Sequence, residues 1–275
     1  MQSSGDADVV EVGYLNYSEP LFEQAFETCV RRGATEIVVA PYFLVAGKFV
    51  KVDLPPQIEK MKARFPQVRV LVAQAMRFHP SLAQAISNCA DRALPPAQWR
   101  DILDTAPQFC RANPQCSLFD TARCPATSGN PAEKSETARN AMTAPQTEDF
   151  SAAAHQSALL VMVHGSPRPE SNRDMFAVVD VLRARNEYVA VEVGFMECNE
   201  PTIPQAIARC VEQNAKRVVA VPYFLHTGNH VADDLPTLLE EAQAQYPDVE
   251  FLMGDFLGHD AAIADVLRDR VLELL

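Results

Sequence analysis

The chain matches itself. Displaced by 181 residues, 10–68 falls on 191–249 without a gap, and 25 of the 59 aligned positions are identical. The shared residues include Val-Glu-Val-Gly at Val10 and again at Val191, Glu19-Pro20 with Glu200-Pro201, and Pro-Tyr-Phe-Leu at Pro41 and Pro222. They also include Gly47 with Gly228, and Asp53-Leu54-Pro55 with Asp234-Leu235-Pro236. Beyond Val68 the match continues with a one-residue shift that aligns His79 with His259. So long a period belongs to a duplicated domain, not to a solenoid array. Whatever fold forms must therefore be one that half of the chain adopts twice. The 275 residues are enough for two compact lobes with cores of their own.

The second copy shows what that fold is. Residues 158–163 are a continuous apolar run ended by His164-Gly165-Ser166-Pro167, which reads as a buried parallel strand. The order then predicts a helix over 170–185, a strand over 188–195, and a helix over 201–213 with Pro201 near its first turn. A strand over 217–221, a helix over 231–245, a strand over 249–253 and a closing helix over 260–274 complete it. Strict β-α alternation with short apolar strands specifies an α/β fold, a parallel sheet flanked by helices, once in each lobe.

The chain divides into an N-terminal lobe at 1–94, a connecting region at 95–157 and a C-terminal lobe at 158–275. The first lobe starts late: the counterpart of His164 falls upstream of Met1, so its opening strand and helix are not in this sequence. Either the lobe lacks them or the chain begins downstream of the true start. A half-sheet without that strand exposes an edge, so a compensating strand or a partner, such as a second copy of the chain, is expected there. Within the connecting region, 127–151 is polar, Pro-containing and poor in large apolar residues, the composition of a flexible linker.

Three polar residues of the second lobe follow the carboxyl ends of successive strands, where parallel α/β sheets bind ligands. They are His164, Glu197 and His230, each 33 residues from the next, one βα unit apart. Two imidazoles and a carboxylate make a facial site for a borderline divalent ion such as Fe²⁺, Co²⁺, Ni²⁺ or Zn²⁺. A lone His at a strand end is more often a hydrogen-bonded structural residue, and Glu197 alone reads equally as a helix-entry carboxylate. His226 and His259 are left in that ordinary class. The first lobe supplies the contrast: Asn16 stands for Glu197, Phe49 for His230 and Val45 for His226, while scaffold residues are kept.

In this order and spacing the residues resemble the class II tetrapyrrole chelatases, the sirohydrochlorin cobalt- and ferrochelatases of cobalamin and sirohaem synthesis. The resemblance rests on His164-Gly165-Ser166, on Phe195-Met196-Glu197 with Glu200-Pro201, and on Val221-Pro222-Tyr223-Phe224-Leu225 continued by Gly228-Asn229-His230-Val231 and Asp234-Leu235-Pro236. It covers essentially all of the second lobe and most of the first. It implies insertion of Co²⁺ or Fe²⁺, as substrate, into sirohydrochlorin, with metal-handling and catalytic roles for His164, Glu197 and His230. A neutral imidazole can bind the metal and, once vacated, accept a pyrrole proton. The alternative is a non-catalytic carrier of divalent metal or tetrapyrrole on the same fold. A hydrolase with Ser166 as nucleophile is a third reading, weakened by the lack of a Gly-x-Ser-x-Gly elbow.

Charge sharpens the expectation. Lys plus Arg is 24 against 36 for Asp plus Glu, a formal −12, which argues against nucleic acid and against an anionic membrane surface as partners. The expected substrate carries several carboxylates, so Arg168 and Arg173, just after the His164 strand, are candidates to pair with them, and Lys48 and Lys51 occupy the matching loop of the first lobe. With no basic, apolar leader at residue 1 and no spanning segment, a cytoplasmic protein is expected. Of seven cysteines, Cys29 and Cys210 are equivalent by the repeat and read as core residues, and Cys198 is either core or a neighbour of the site. Cys110, Cys116 and Cys124, with Cys89 as a fourth, are candidates to hold an iron–sulfur cluster or zinc.

Overall fold

The computed structural model describes residues 7–16, 18–99, 156–228 and 230–274. The C-terminal lobe is a four-stranded parallel sheet of β3 (Ser157–Val163), β4 (Ala190–Phe195), β5 (Arg217–Pro222) and β6 (Glu250–Met253), in the order β4-β3-β5-β6. Helices α4 (Pro169–Arg185), α5 (Ile203–Glu212), α6 (Leu235–Gln245) and α7 (Ala261–Leu272) join and follow the strands. Because side chains alternate along a strand, β3 feeds two cores. Leu159, Val161 and Val163 face a core with Met175, Val178 and Leu182 of α4, whereas Ala158, Leu160 and Met162 face one with Ile207 of α5 and Leu239 of α6. All seven residues of β3 are buried, which is why it reads as an unbroken apolar run.

Two expectations need adjusting. Pro201 lies before the helix, in a cis peptide with Glu200, and α5 instead begins from Thr202. Thr202 Oγ1 accepts the Gln205 N–H at 3.4 Å while Gln205 Oε1 accepts the Thr202 N–H at 2.8 Å, a reciprocal cap that fixes the start. The helix expected over 231–245 is two pieces, a π-helical turn at His230–Asp234 and then α6.

The N-terminal lobe holds α1 (Phe22–Arg31), β1 (Glu36–Val39), a matching π-helical turn at Phe49–Asp53, α2 (Leu54–Arg64), β2 (Arg69–Val72) and α3 (Pro80–Asp91). Its sheet has two parallel strands, and no compensating strand fills the place equivalent to β3 among the described residues. The segment carrying Val10–Gly13 sits on α1 as β4 sits on α5: Gly13 and Gly194 each lie so close to the helix that a Cβ would come within 2.9 Å of Phe22 Cα and 2.8 Å of Ile203 Cα. Without a neighbouring strand among the described residues, however, 10–13 forms no ladder, and Val12 is 63% exposed where its twin Val193 is 2%. A small core of Phe22, Phe26, Leu54, Ile58 and Met61 holds α1 and α2 to the sheet.

The lobes are locked together. Helix α3 belongs to the first lobe by sequence but packs its fully buried Leu82 and Ile86 into the α4-side core of the second; each such side chain contributes roughly 1.5–3 kcal/mol. Arg77 grips Asp174 through Nε at 2.8 Å and Nη2 at 3.3 Å. Arg270 donates to the Met76 and Phe78 carbonyls at 2.9 and 2.7 Å. Asp260, almost wholly buried, accepts from Asn88 at 3.0 Å and pairs with Arg92 at 3.2 Å. Leu94 bridges to Met253 and Trp99 is buried in the α5–α6 core, so the start of the connecting region is fastened to the second lobe. No helix among the described residues is long and apolar enough to cross a membrane.

Candidate metal centre

The β3–β4 ladder does not stop where the strands end. Met196 N donates to Val163 O and Glu197 N to His164 O, both at 2.9 Å, so the backbones of His164 and Glu197 remain paired beyond the sheet. The turn that follows depends on Gly165, at φ +96°, a left-handed conformation that disfavours any Cβ. A Cβ here would also lie 2.0 Å from the Glu197 carbonyl oxygen. Asn199 secures the other side: its Oδ1 accepts the Ser166 N–H at 2.7 Å and the buried Asn172 amide at 3.1 Å. Ser166 Oγ accepts the Arg168 N–H at 3.2 Å, a local turn that starts α4 and not the arrangement of an activated nucleophile.

His230 arrives from the other side of β3. It opens the π-helical turn after β5, and its ring lies 5.2 Å from that of His164, centroid to centroid, at 74°. The two imidazoles expected to meet do meet. Glu197 is joined to His164 through its backbone, and its carboxylate is exposed. Among the described residues no three His, Cys, Asp or Glu side chains already converge as a closed metal-ligand set. His230 Nδ1 pairs with Asp234 Oδ2 at 2.7 Å, a partner the sequence comparison passed over because Asp53 keeps the same place in the first lobe.

Arg168 and Arg173 are exposed at the start of α4, and neither makes an ion pair among the described residues. His226 packs its ring 5.7 Å from that of Tyr42 across the lobe junction, and Tyr42 donates to the Gly258 carbonyl at 3.2 Å. Desolvation holds the His226 imidazole below its usual value and the Tyr42 phenol above its own. Cys89 and Cys210 are buried thiols, each pushed up to about 12 by desolvation, while Cys198 is exposed beside Glu197. Cys110, Cys116 and Cys124 lie outside the described residues.

Fold and centre together define a class: a duplicated parallel α/β protein in which one copy alone carries a pair of converging imidazoles at its strand ends. The sequence profile described as CbiX matches residues 1–93 and 158–274, and the chain belongs to that family. It is 25% identical to a sirohydrochlorin cobaltochelatase of Priestia megaterium over 99% of this chain and 72% of that one. It is 22% identical to a sirohydrochlorin ferrochelatase of the same organism, over 98% and 79%. A sirohydrochlorin cobaltochelatase of Methanocaldococcus jannaschii is 34% identical, matching 96% of its own length but 41% of this chain. Among solved structures, SirB from Bacillus subtilis with Fe³⁺ superposes with a TM-score of 0.67 at 19% identity, over 98% of this chain and 84% of that one. SirB from subspecies spizizenii in complex with cobalt gives 0.61 at 17% identity, with the same coverage. Both share the two-lobed fold.

Proposed function

We propose that this chain inserts a divalent metal, Co²⁺ or Fe²⁺, into sirohydrochlorin. The observation that carries the reading is the meeting of the His164 and His230 rings at 5.2 Å, on a chain of which 98–99% aligns with sirohydrochlorin chelatases. His164, His230 and Glu197 are assigned as the ligands of the incoming ion. Three protein ligands leave coordination positions open for the pyrrole nitrogens. Metal insertion releases two protons from the macrocycle, and each imidazole, vacated as the metal leaves, can take one. Glu197 offsets the charge of the ion while it waits. Arg168 and Arg173 are assigned to the substrate's carboxylates.

The test is to mix protein, metal-free sirohydrochlorin and Co²⁺ and follow the visible spectrum. We expect acceleration over the protein-free rate, lost in His164→Ala and in His230→Ala. Tight binding of metal or tetrapyrrole without acceleration establishes the carrier instead. A cytoplasmic working place fits the free thiols of Cys29, Cys89, Cys198 and Cys210. The open edge of β1 offers a second copy of the chain a place to associate.

A further inference from the structure

The first lobe carries a cavity at the place that corresponds to the second lobe's proposed centre. An open cavity of about 670 Å³ is lined by Asn16, Lys48, Phe49, Val52, Asp53 and Gln57, around the π-helical turn that corresponds to His230–Asp234. By the repeat, Asn16 stands for Glu197, Lys48 for Asn229 and Phe49 for His230. The lining carries no net charge, Lys48 against Asp53, whereas its counterparts in the second lobe include Glu197, Asp233 and Asp234 and no Lys or Arg. The first lobe's place is thus the less acidic of the two and presents an ammonium that the other lacks. The aromatic replacement adds a second preference. Phe49 stacks on Phe43 at 5.8 Å and 15°, which occupies one ring face, and the residue remains 45% exposed at the cavity. Lys48 is exposed and has no ion-pair partner among the described residues.

An ammonium, two amides and an open phenyl face suit a flat conjugated molecule that bears carboxylates. Resting on the proposed function above, we infer that this cavity is a docking subsite for the carboxylate-bearing rim of the tetrapyrrole. Lys48 pairs with one carboxylate, Asn16 and Gln57 donate to it, and a pyrrole ring lies on Phe49. Asp53 is the one carboxylate of the lining and opposes the anion. The subsite answers how a protein of formal charge −12 holds a polycarboxylate: acidic positions are removed and one ammonium is added where the ligand touches.

The experiment measures binding of metal-free sirohydrochlorin, and of its fully methyl-esterified form, by fluorescence titration of the full chain without metal. Lys48→Ala is expected to weaken the free acid about tenfold and leave the ester unchanged. Phe49→Ala weakens both ligands, and Asp53→Asn tightens the free acid. Lys48→Ala and Phe49→Ala variants that bind the free acid like the parent chain overturn the subsite. So does an equal loss of acid and ester in Lys48→Ala. Because no metal is present, the outcome is separate from chelation: a parent chain that binds through Lys48 yet never accelerates insertion overturns the proposed function and leaves the subsite standing.

Discussion

His230 Nδ1 lies 2.7 Å from Asp234 Oδ2, four residues along one π-helical turn. A carboxylate at that distance favours the tautomer with the proton on Nδ1 and leaves the Nε2 lone pair for a metal. Asp234→Asn weakens this hold, since an amide can present either a donor or an acceptor. Loss of such a partner lowers metal affinity or activity by about 10- to 100-fold. We expect the Co²⁺ concentration for half-maximal insertion to rise by that order while the melting temperature stays put, because both side chains are about half exposed. An unchanged Co²⁺ dependence refutes the role.

The two Val-Glu-Val-Gly segments offer an internal control. Their intrinsic amide exchange rates are alike because their residues are identical, so any difference in protection reports their surroundings. Val191–Gly194 lies within β4 and is hydrogen-bonded to β3, whereas Val10–Gly13 has no strand beside it among the described residues. Hydrogen exchange by mass spectrometry is expected to show slow exchange at 191–194 and exchange faster by about a thousandfold or more at 10–13. Equal protection means that something occupies the place of the absent strand.

That contrast also marks what was legible in the sequence. Strand β3 is an unbroken apolar run because it is buried on both faces, and the short apolar strands that alternate with helices after it make the parallel sheet legible. The His164–His230 meeting was legible because both follow strand ends and because the first lobe keeps the scaffold residues but has Phe49 where His230 stands. The same comparison concealed Asp234, which Asp53 matches and which therefore looked like scaffold. The π-helical turn was hidden too, since its composition is that of an ordinary helix start. Nor does periodicity reveal that α3 crosses to the other lobe: an amphipathic helix shows which face is apolar, not which core receives it.

Thiol reactivity follows from burial. The thiolate is the nucleophile, and Cys89 and Cys210, pushed up to about 12, hold almost none at pH 8. Cys198 is exposed and beside Glu197. Brief alkylation of the native protein at pH 8, mapped by peptide mass spectrometry, is expected to label Cys198 and spare Cys89 and Cys210. Co²⁺ bound at the proposed centre should slow labelling at Cys198. Rapid labelling of Cys210 without unfolding contradicts the packing of α5.

The lobe junction carries a pH dependence. Desolvation lowers the His226 imidazole from 6.5, so the unfolded chain binds that proton more readily than the folded one. Stability from this group is therefore full above about pH 6.5 and is lost as pH falls toward the lowered value. Denaturant unfolding from pH 7.5 to 5 is expected to show a decline that His226→Asn makes shallower. An identical slope in the variant shows that His226 does not contribute to it.

Gly165 and Gly228 each stand near a proposed ligand, yet only one is required. Gly165 has φ +96° and a Cβ would lie 2.0 Å from Glu197 O, a backbone atom that cannot move without breaking the Glu197–His164 pairing. Gly228 has nothing within 4 Å of a Cβ. Gly165→Ala incurs left-handed strain of roughly 1–2 kcal/mol in addition to this clash, so relief must come from displacing His164 relative to Glu197. Its expected signature is a lowered melting temperature and loss of Co²⁺ insertion, with the far-ultraviolet dichroism of the folded chain retained. Gly228→Ala is expected to keep both stability and insertion. If Gly165→Ala inserts metal at the parent rate, the turn does not hold the two proposed ligands in register, and the centre must be assembled differently.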